Sequence, residues 1–530
     1  MKKGFTLIEL LAVIVILAII ALIATPIILG IIDDARIGSI EASANGYIDA
    51  VEYQLARKEI KGEETASGVY DLYSIDVEID GIKPEYGSVT IEKGNVIKAT
   101  LCINGNNVEY KNNKSKVSGN CNPLYKEIIL NGADPVLKDE LVPVNIDLDG
   151  TVTKADISEE WYSYEDKRWA NAVILEDRNK SYNKNEIIPE SDIESYFVWI
   201  PRYSYKLFDL GNYSSVNEGE LIENKKTTID IKFGTNTTND SNVGECTTPM
   251  ISGESGNCEV GEYMTHPAFI SFNTNGIWVG KFETSVTDGD VKIKANSDLK
   301  TNFIKESFEL AYNYKRNIDS HMMKNTEWGA VAYLSYSNYG INEKINNNNY
   351  FNAENRASKS GYSSTALEPT INHFGISENI TMPYNTEIGY KASTTGNITG
   401  IYDMSGGHND TLAAYIDGYY GASGFDEKSI SIYDKKYFDI YNKNSNQESF
   451  NYRILGDATG EVGPYYNYSI LDIERQRNSW DGSAVLFPYP EQPWIYRGGY
   501  PMDMECAGIL FGYRAGALGY YGGLRIVLAF

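Results

Sequence analysis

The chain has few of the residues and motifs that carry the commonest catalytic and metal chemistry. Its 530 residues include only 4 histidines, and they are scattered, which argues against a His-rich metal site. No GxSxG, HExxH or P-loop motif occurs, so no signature of those hydrolases or nucleotide-binding proteins is present. Basic residues are also scarce: 47 Lys and Arg stand against 72 Asp and Glu. The net charge of −25 argues against binding nucleic acid or anionic lipid through bulk electrostatics.

Cysteine is also rare, and four of the five cysteines lie in two local pairs. Cys102 and Cys121 flank a polar loop, and Cys246 and Cys258 flank a second loop rich in Gly, Ser and Thr. Neither pair has the CxxC spacing of a zinc site. We therefore expect two disulfides, Cys102–Cys121 and Cys246–Cys258, as in an exported protein. Cys506 is left over and is interpreted as a buried thiol.

The N-terminus combines a very short basic leader with a long apolar run. Residues 5–32 are almost wholly apolar and long enough to span a bilayer as a helix. A secretory signal would have a shorter apolar core and a small-residue cleavage site after it. Glu9 lies inside the run, although a carboxylate in hydrocarbon is costly and usually functional.

This arrangement resembles the prepilin leader of type IV pilins and related pseudopilins. The matching residues are Gly4 before the cleavage site, Phe5 as the new N-terminus, Glu9 at mature position five and Pro26 inside the helix. In pilins a peptidase cleaves after the glycine and methylates the new amino group, which lies near the glutamate of a neighbouring subunit. The resemblance implies that Gly4 and Phe5 direct processing and that Phe5 and Glu9 direct assembly, because a buried carboxylate is tolerable only when paired.

The pattern changes after the apolar run and predicts a series of domains. An apolar face continues along the helix with spacings of three and four residues: Ile37, Ile40, Ala44, Tyr47, Ile48, Val51 and Leu55. Short strands with Gly and Asn turns follow. We expect a leader (1–4), a transmembrane and assembly helix (5–59), a pilin-like β domain (60–125), a connecting β module (126–190) and a large domain (191–530). Asn-rich stretches such as "NEKINNNNYFNAEN" are interpreted as surface loops.

The large domain carries five segments in the order found in formylglycine-generating-enzyme-like domains. They are "GIWVGKFETSV", "MMKNTEWGAVAYLS" with Thr326, Glu327, Trp328 and Ala330, "NITGIYDMSGGHND" with Gly400, Tyr402, Asp403 and Met404, "YRGGY" with Arg497, Gly498 and Gly499, and "GGLRIVLAF" with Arg525. The resemblance implies a C-type-lectin-like fold with long loops and a ligand surface near the C-terminus. The predicted class is α+β: a long pilin helix with a small β domain, then this large domain.

The residues argue against the enzymatic activity that this resemblance suggests. Oxidase members of the family use two copper-binding cysteines shortly after the glycine-glycine turn. Here those positions fall on Asp503 and Gly508, and Cys506 alone cannot form the pair. We therefore expect no catalytic residue, no metal site and no cofactor. Calcium is compatible with the fold but is not supported by the sequence.

The last forty residues separate into a regular frame and a chemically varied filling. The frame includes Trp494, Arg497-Gly498-Gly499 and Arg525. This region resembles the variable region of diversity-generating-retroelement proteins, which use the lectin-like fold as a scaffold. The resemblance assigns ligand binding to the filling: Tyr496, Tyr500, Met502, Asp503, Met504, Glu505, Tyr513, Tyr520 and Tyr521. The alternative is that these side chains pack the last strands.

Together these features predict a pilus-associated surface adhesin. It would be a minor subunit, located at the pilus tip, and anchored in the cytoplasmic membrane by its N-terminal helix before assembly. Its partners would be other pilin subunits, the prepilin peptidase and a surface ligand, either glycan, protein or phage. The alternatives are a pseudopilin of a secretion system and a surface enzyme of the formylglycine-generating type.

Overall fold

The computed structural model describes residues 7–61, 67–121 and 133–530 with gaps. The gaps are 73–76, 78, 80, 85, 139, 158, 207–227, 237–241, 247–257, 260–261, 288–289, 300–302, 351–357, 366–380, 442–455, 459–484, 487, 500–506 and 517–521. The description also excludes the side chains of most residues between 7 and 34 and of residues 71, 86, 246, 258–259 and 287. The chain forms two compact units, Met1–Ile129 and Leu130–Phe530.

The first unit consists of a long helix and an antiparallel sheet. The helix, α1, spans Leu7–Ile60. The strands are β1 (Ser67–Asp71), β2 (Tyr86–Glu92), β3 (Asn95–Ile103), β4 (Asn106–Lys111) and β5 (Lys114–Asn120). They lie in the order β5-β4-β3-β2-β1. The described side chains of the helices leave out most of residues 7–34. Within that described part, no helical segment is both apolar enough and long enough to cross a membrane.

The predicted apolar face of α1 packs on this sheet over most of its length. Residues from Ile40 to Leu55 on that face are buried, but Ile37 is 40% exposed, so the buried face begins one turn later than expected. Two polar side chains of the helix also contact the sheet. Glu41 and Glu52 accept hydrogen bonds from backbone N–H groups of the strands, at 3.0 and 3.1 Å. The helix therefore satisfies strand donors as well as covering the sheet's apolar face.

The disulfide predicted between Cys102 and Cys121 is confirmed, with a Cα–Cα distance of 5.6 Å. It joins β3 to the residue that follows β5. The intervening turns suit their sequence, because Asn104 and Gly105 both adopt positive φ (48° and 74°), as a tight two-residue hairpin turn requires.

The second unit is built around three sheets. Its strands begin with β6 (Val136–Leu137), β7 (Val142–Ile146), β8 (Val152–Lys154), β9 (Asn171–Leu175), β10 (Ile193–Pro201), β11 (Tyr203–Lys206), β12 (Asp230–Phe233), β13 (Val243–Cys246), β14 (Cys258–Glu259), β15 (Tyr263–Thr265) and β16 (Gly276–Gly280). They continue with β17 (Ser285–Thr287), β18 (Asp290–Lys292), β19 (His321–Met322), β20 (Tyr362–Ser364), β21 (Thr381–Pro383), β22 (Asp410–Ile416), β23 (Asp439–Tyr441), β24 (Trp494–Gly498), β25 (Gly508–Ala515) and β26 (Ile526–Leu528). The helices are α2 (Ile304–Tyr314), α3 (Asn325–Ser335) and the single-turn α4 (Glu427–Ile430).

Among the described residues, most strands of the second unit form sheets of seven, five and four members, and β17–β18 and β20–β21 form two separate pairs. The seven-stranded sheet has the order β19-β26-β16-β10-β9-β7-β8, the five-stranded sheet β12-β11-β15-β13-β14 and the four-stranded sheet β23-β22-β24-β25. One apolar cluster runs through the unit, and every residue of α3 is buried in it or beside it. The C-terminal strand β26 lies between β19 and β16, inside the largest sheet.

Two expectations from the sequence differ from this architecture. Residues 126–190 were expected to form a separate module, but β7, β8 and β9 belong to the same sheet as β10 and β16, so they are part of the larger unit. The run of four asparagines was expected to lie in a surface loop, but Asn346–Asn349 are buried. The amide groups of Asn346 and Asn348 donate to backbone and side-chain oxygens, for example from Asn346 to the Ser364 carbonyl at 2.9 Å.

Candidate functional site

Three of the five segments that resembled a lectin-like domain meet at the indole ring of Trp328: the segment of Trp328 itself, the segment of Arg497 and Gly498, and the segment of Arg525. Trp328 lies in the first turn of the buried helix α3, and its Nε1 donates to the carbonyl of Ile509 in β25 at 2.7 Å. The guanidinium groups of Arg497 and Arg525 lie 5.9 and 6.0 Å from the centre of its ring. All three side chains are fully buried. These residues therefore form a supporting core and not an exposed surface.

Arg525 joins the seven-stranded sheet to the four-stranded sheet. Its Nε donates to Asp410 Oδ2 in β22 at 3.0 Å. Its Nη1 donates to the carbonyl of Gly280 at the end of β16 at 2.8 Å, and its Nη2 donates to the carbonyl of Tyr402 at 3.1 Å. A buried charge that is paired and hydrogen-bonded in this way is costly to remove, because its partners would be left unpaired.

Asp403 fixes the turn that precedes β22. Its φ is +60°, an uncommon value for a residue with a side chain. The carboxylate compensates by accepting backbone N–H groups from Gly361 at 2.9 Å and from Glu283 at 3.2 Å. The amide of Asn348 donates to it as well, at 2.8 Å. One member of the buried asparagine run is therefore a direct support of this turn.

The candidate ligand-binding surface is the hairpin of β24 and β25, which we call the candidate hairpin. Gly498 ends β24 with a φ of +83°, and its carbonyl accepts the N–H of Gly406 at 2.9 Å. A Cβ built on Gly498 would lie 3.3 Å from the Trp328 ring, so the position requires glycine for its backbone angle and for space. The hairpin is thus anchored directly on the supporting core.

Two of the predicted ligand-binding residues, Tyr496 and Tyr513, lie opposite each other on this hairpin. Tyr513 is 40% exposed, and its ring stacks parallel to that of Phe511, with centroids 6.4 Å apart. Tyr496 is only 6% exposed and packs in the core, so our expectation that it faces solvent is wrong. Directly opposite residues share one face of a sheet. The difference in exposure instead follows the strand order, because Tyr496 lies on the inner strand β24 and Tyr513 on β25, the last strand of the sheet. The other predicted residues lie outside the described residues: Tyr500, Met502, Asp503, Met504, Glu505, Tyr520 and Tyr521.

The remaining predicted sites are only partly visible. Gly4 and Phe5 lie outside the described residues, and Glu9 lies in α1 with its side chain outside the description. Cys246 and Cys258 are directly opposite partners of the antiparallel pair β13–β14. This register is compatible with the predicted bond, which remains a prediction. Cys506 also lies outside the described residues.

The sequence did not reveal how many ionisable groups are buried in the second unit. Burial raises the pKa of Asp410 to about 6 and also that of Asp439 to about 6. Asp439 accepts the N–H of Thr326 at 2.6 Å and so caps the first turn of α3 from another strand. Burial also raises the pKa of Glu283 well above its ordinary value. In the sequence, the burial of such groups is indicated only by their position inside apolar strand segments, as for Glu283 in "GIWVGKFETSV".

These buried groups do not form a recognisable metal site. In the part of the chain that the structure describes, no group of three or more His, Cys, Asp or Glu side chains is arranged to hold a metal ion. The "DLDG" segment at residues 147–150, whose acidic residues are only a weak signal for calcium binding, is the turn of the β7–β8 hairpin. Asp149 Oδ1 accepts the N–H of Thr151 at 2.9 Å, and the Asp149 carbonyl accepts the amide of Asn385 at 2.8 Å.

Comparison with known proteins bears on the N-terminus. Residues 1–25 match the family described as the prokaryotic N-terminal methylation motif. No curated protein matches the chain. The motif supports a type IV prepilin-like N-terminus, as in a pilin-like or pseudopilin subunit that a prepilin peptidase processes and that other pilin subunits bind. It also suggests a membrane-anchored pilus or surface protein.

Proposed function

We propose that this chain is a minor, tip-located type IV pilin-like subunit that acts as an adhesin. The observation that carries the proposal is the joining of a methylation motif at residues 1–25 to a large second unit, Leu130–Phe530. The first unit, a long helix packed on an antiparallel sheet, suits assembly into a filament. A second unit of that size on every subunit would crowd a filament shaft, which favours a place at the tip.

The second unit is proposed to bind a surface ligand through the candidate hairpin, on a C-type-lectin-like scaffold. Tyr513 supports this, because a partly exposed tyrosine held by a rigid frame gives contact area at low entropic cost. Binding rather than catalysis is favoured because the sequence lacks the cysteine pair that the oxidase reaction needs. The ligand is a glycan, a protein or a phage surface.

Diversification of the candidate hairpin by a retroelement is a further part of this proposal. Its support is the sequence between residues 496 and 521, in which varied side chains alternate with frame residues such as Gly498 and Arg497. Sequencing the flanking DNA tests it. A nearly identical template repeat beside a reverse transcriptase gene supports diversification, and the absence of both contradicts it.

Complementation of a deletion strain tests the adhesin function. The strain receives the full chain, a chain truncated after residue 129, or the Glu9→Val variant, and adhesion to host or partner cells is measured beside secretion. The full chain should restore adhesion, and the other two should not. If truncation leaves adhesion intact, the second unit is not the binding unit. If the deletion strain loses secretion but keeps adhesion, the chain is a pseudopilin of a secretion system, since the N-terminal methylation motif is compatible with a pseudopilin as well.

A further inference from the structure

Three carboxyl groups and one guanidinium are buried together where two sheets of the second unit meet. Glu283 lies just after β16, Arg525 just before β26, and Asp410 is the first residue of β22. Asp403 completes the group, which we call the carboxyl cluster: Glu283, Asp403 and Asp410. All four side chains are at most 1% exposed. With every group ionised, the cluster and Arg525 would carry a buried net charge of −2.

Among the described residues, three other groups nearby could carry positive charge: Arg497, His408 and Lys281. Arg497 pairs with Asp410 through the backbone, and its Nη2 donates to the carbonyl of Ala458 at 3.3 Å. His408 donates its backbone N–H to Glu283 Oε2 at 2.9 Å, but burial lowers the pKa of its imidazole to about 4, so the ring is neutral at pH 7. Lys281 directs its ammonium elsewhere, to Asn171 Oδ1 at 2.9 Å and to the carbonyls of Ile398 and Gly400 at 2.6 and 2.9 Å. An uncompensated buried carboxylate costs several kcal/mol and normally takes up a proton instead.

The hydrogen bonds identify where such a proton would reside. Both oxygens of Asp403 accept N–H groups, from Gly361 and Glu283 among others. Glu283 Oε1 and Asp410 Oδ1, in contrast, are buried without a hydrogen-bond partner. The two residues also share a neighbour: Gly523 forms an isolated β-bridge with Asp410 through the backbone, and a Cβ built on Gly523 would collide with Glu283 Oε1. Two carboxyls that repel each other in one buried site cannot both ionise easily.

We propose that Glu283 and Asp410 retain a proton at neutral pH and that its loss at alkaline pH loosens the joint between the two sheets. Asp410 pairs with Arg497 in β24 of the candidate hairpin and with Gly523 in the C-terminal segment. Repulsion at Asp410 therefore acts on both. The carboxyl pair thereby makes the packing of the candidate hairpin and of the C-terminal segment sensitive to pH, whatever ligand the hairpin binds.

The sign of the effect follows from linkage. Burial and the neighbouring carboxylates raise the pKa of Glu283 well above its ordinary value, and burial raises that of Asp410 from 3.8 to about 6. Between the ordinary and raised values the folded chain holds a proton that the unfolded chain has released. The stability that this proton supports is therefore lost as the pH rises through the folded pKa values.

The test measures the free energy of unfolding of the full chain in detergent from about pH 5 to pH 9. In the wild type, the free energy of unfolding should fall with rising pH by the slope that corresponds to about one proton released at the pair. In Glu283→Gln this slope should be markedly smaller, because the amide carries no ionisable proton. Glu387→Gln is the matched control, because Glu387 is exposed, and its slope should equal that of the wild type. An unchanged slope in Glu283→Gln overturns the proposal.

A second measurement covers the case in which the variant fails to fold. Infrared spectroscopy of the wild type at pH 7 should show the carbonyl band of a buried, protonated carboxylic acid, and this band should disappear as the pH is raised. Absence of the band at pH 7 contradicts the proposal. A calcium titration tests the alternative that the carboxyl oxygens of Glu283 and Asp410 hold a cation instead of a proton. If calcium raises the melting temperature of the wild type at pH 8 but not that of Asp410→Asn, the proposal is wrong.

Discussion

The anchoring of the candidate hairpin predicts that Gly498→Ala destabilises the second unit strongly. Gly498 has a φ of +83°, where an L-residue costs roughly 1–2 kcal/mol. The new Cβ would also lie 3.3 Å from the Trp328 ring. That ring cannot easily retreat, because it is fully buried, its Nε1 is bonded to the Ile509 carbonyl at 2.7 Å, and two guanidinium groups lie 5.9 and 6.0 Å from its centre.

A second glycine of the same unit separates the two costs. Gly418 has a φ of +76°, and a Cβ there would meet nothing within 4 Å. Gly418→Ala should therefore cost only the backbone term, about 1–2 kcal/mol. Gly498→Ala should add an overpacking cost of about 1–3 kcal/mol, for a total of about 2–5 kcal/mol.

Urea denaturation of the full chain in detergent, followed by circular dichroism, measures both variants. A double-mutant cycle with Trp328→Phe isolates the contact between Gly498 and the indole ring. The smaller ring frees space, so the extra free-energy cost of Gly498→Ala over Gly418→Ala should be smaller in the Trp328→Phe background. If the two glycine variants are equally stable in the wild-type background, the hairpin is not anchored on Trp328 as described, and the reasoning is refuted.

Three further predictions concern assembly, the disulfide and binding. Glu9→Val should be cleaved normally but be absent from sheared filaments, because the neighbour's amino group loses its partner; mass spectrometry of both fractions checks this, and normal incorporation contradicts it. Reduction of Cys102–Cys121 should lower the stability of the first unit by about 3 kcal/mol in urea denaturation, and an unchanged midpoint contradicts it. Tyr513→Ser should change stability by no more than about 0.5 kcal/mol. Its binding should weaken by about 2 kcal/mol in a titration against the ligand-bearing surface, and early melting with intact binding would place Tyr513 in the core.

Patterns that depend on local periodicity were predictable from the sequence. The apolar face of α1 follows from residues spaced three and four apart, and burial of Ala44, Ile48 and Val51 agrees with it. The pair Cys102–Cys121 was predictable because a short polar loop separates the two cysteines. The N-terminal motif was the most specific signal, and it is the one that a family comparison supports.

Features that depend on contacts distant in sequence were not predictable. Asn346–Asn349 reads as a polar loop by composition, yet Asn348 is buried because Asp403, far along the chain, needs its amide. Tyr496 resembles its neighbours in the filling, but it is buried on the inner strand β24, between β22 and β25, whereas Tyr513 is exposed on the last strand of that sheet. The carboxyl cluster was missed because its members lie on separate segments, and no local pattern brings Glu283 next to Asp410.

Electron microscopy of filaments carrying a gold label on the second unit tests the central claim most directly. The account predicts label at filament tips in the wild type and unlabelled filaments for Glu9→Val, which should be processed but not incorporated. Label along the whole shaft would contradict a minor tip subunit. Label that stays at the cell membrane, with filaments unlabelled in the wild type, would contradict display of the second unit on a pilus.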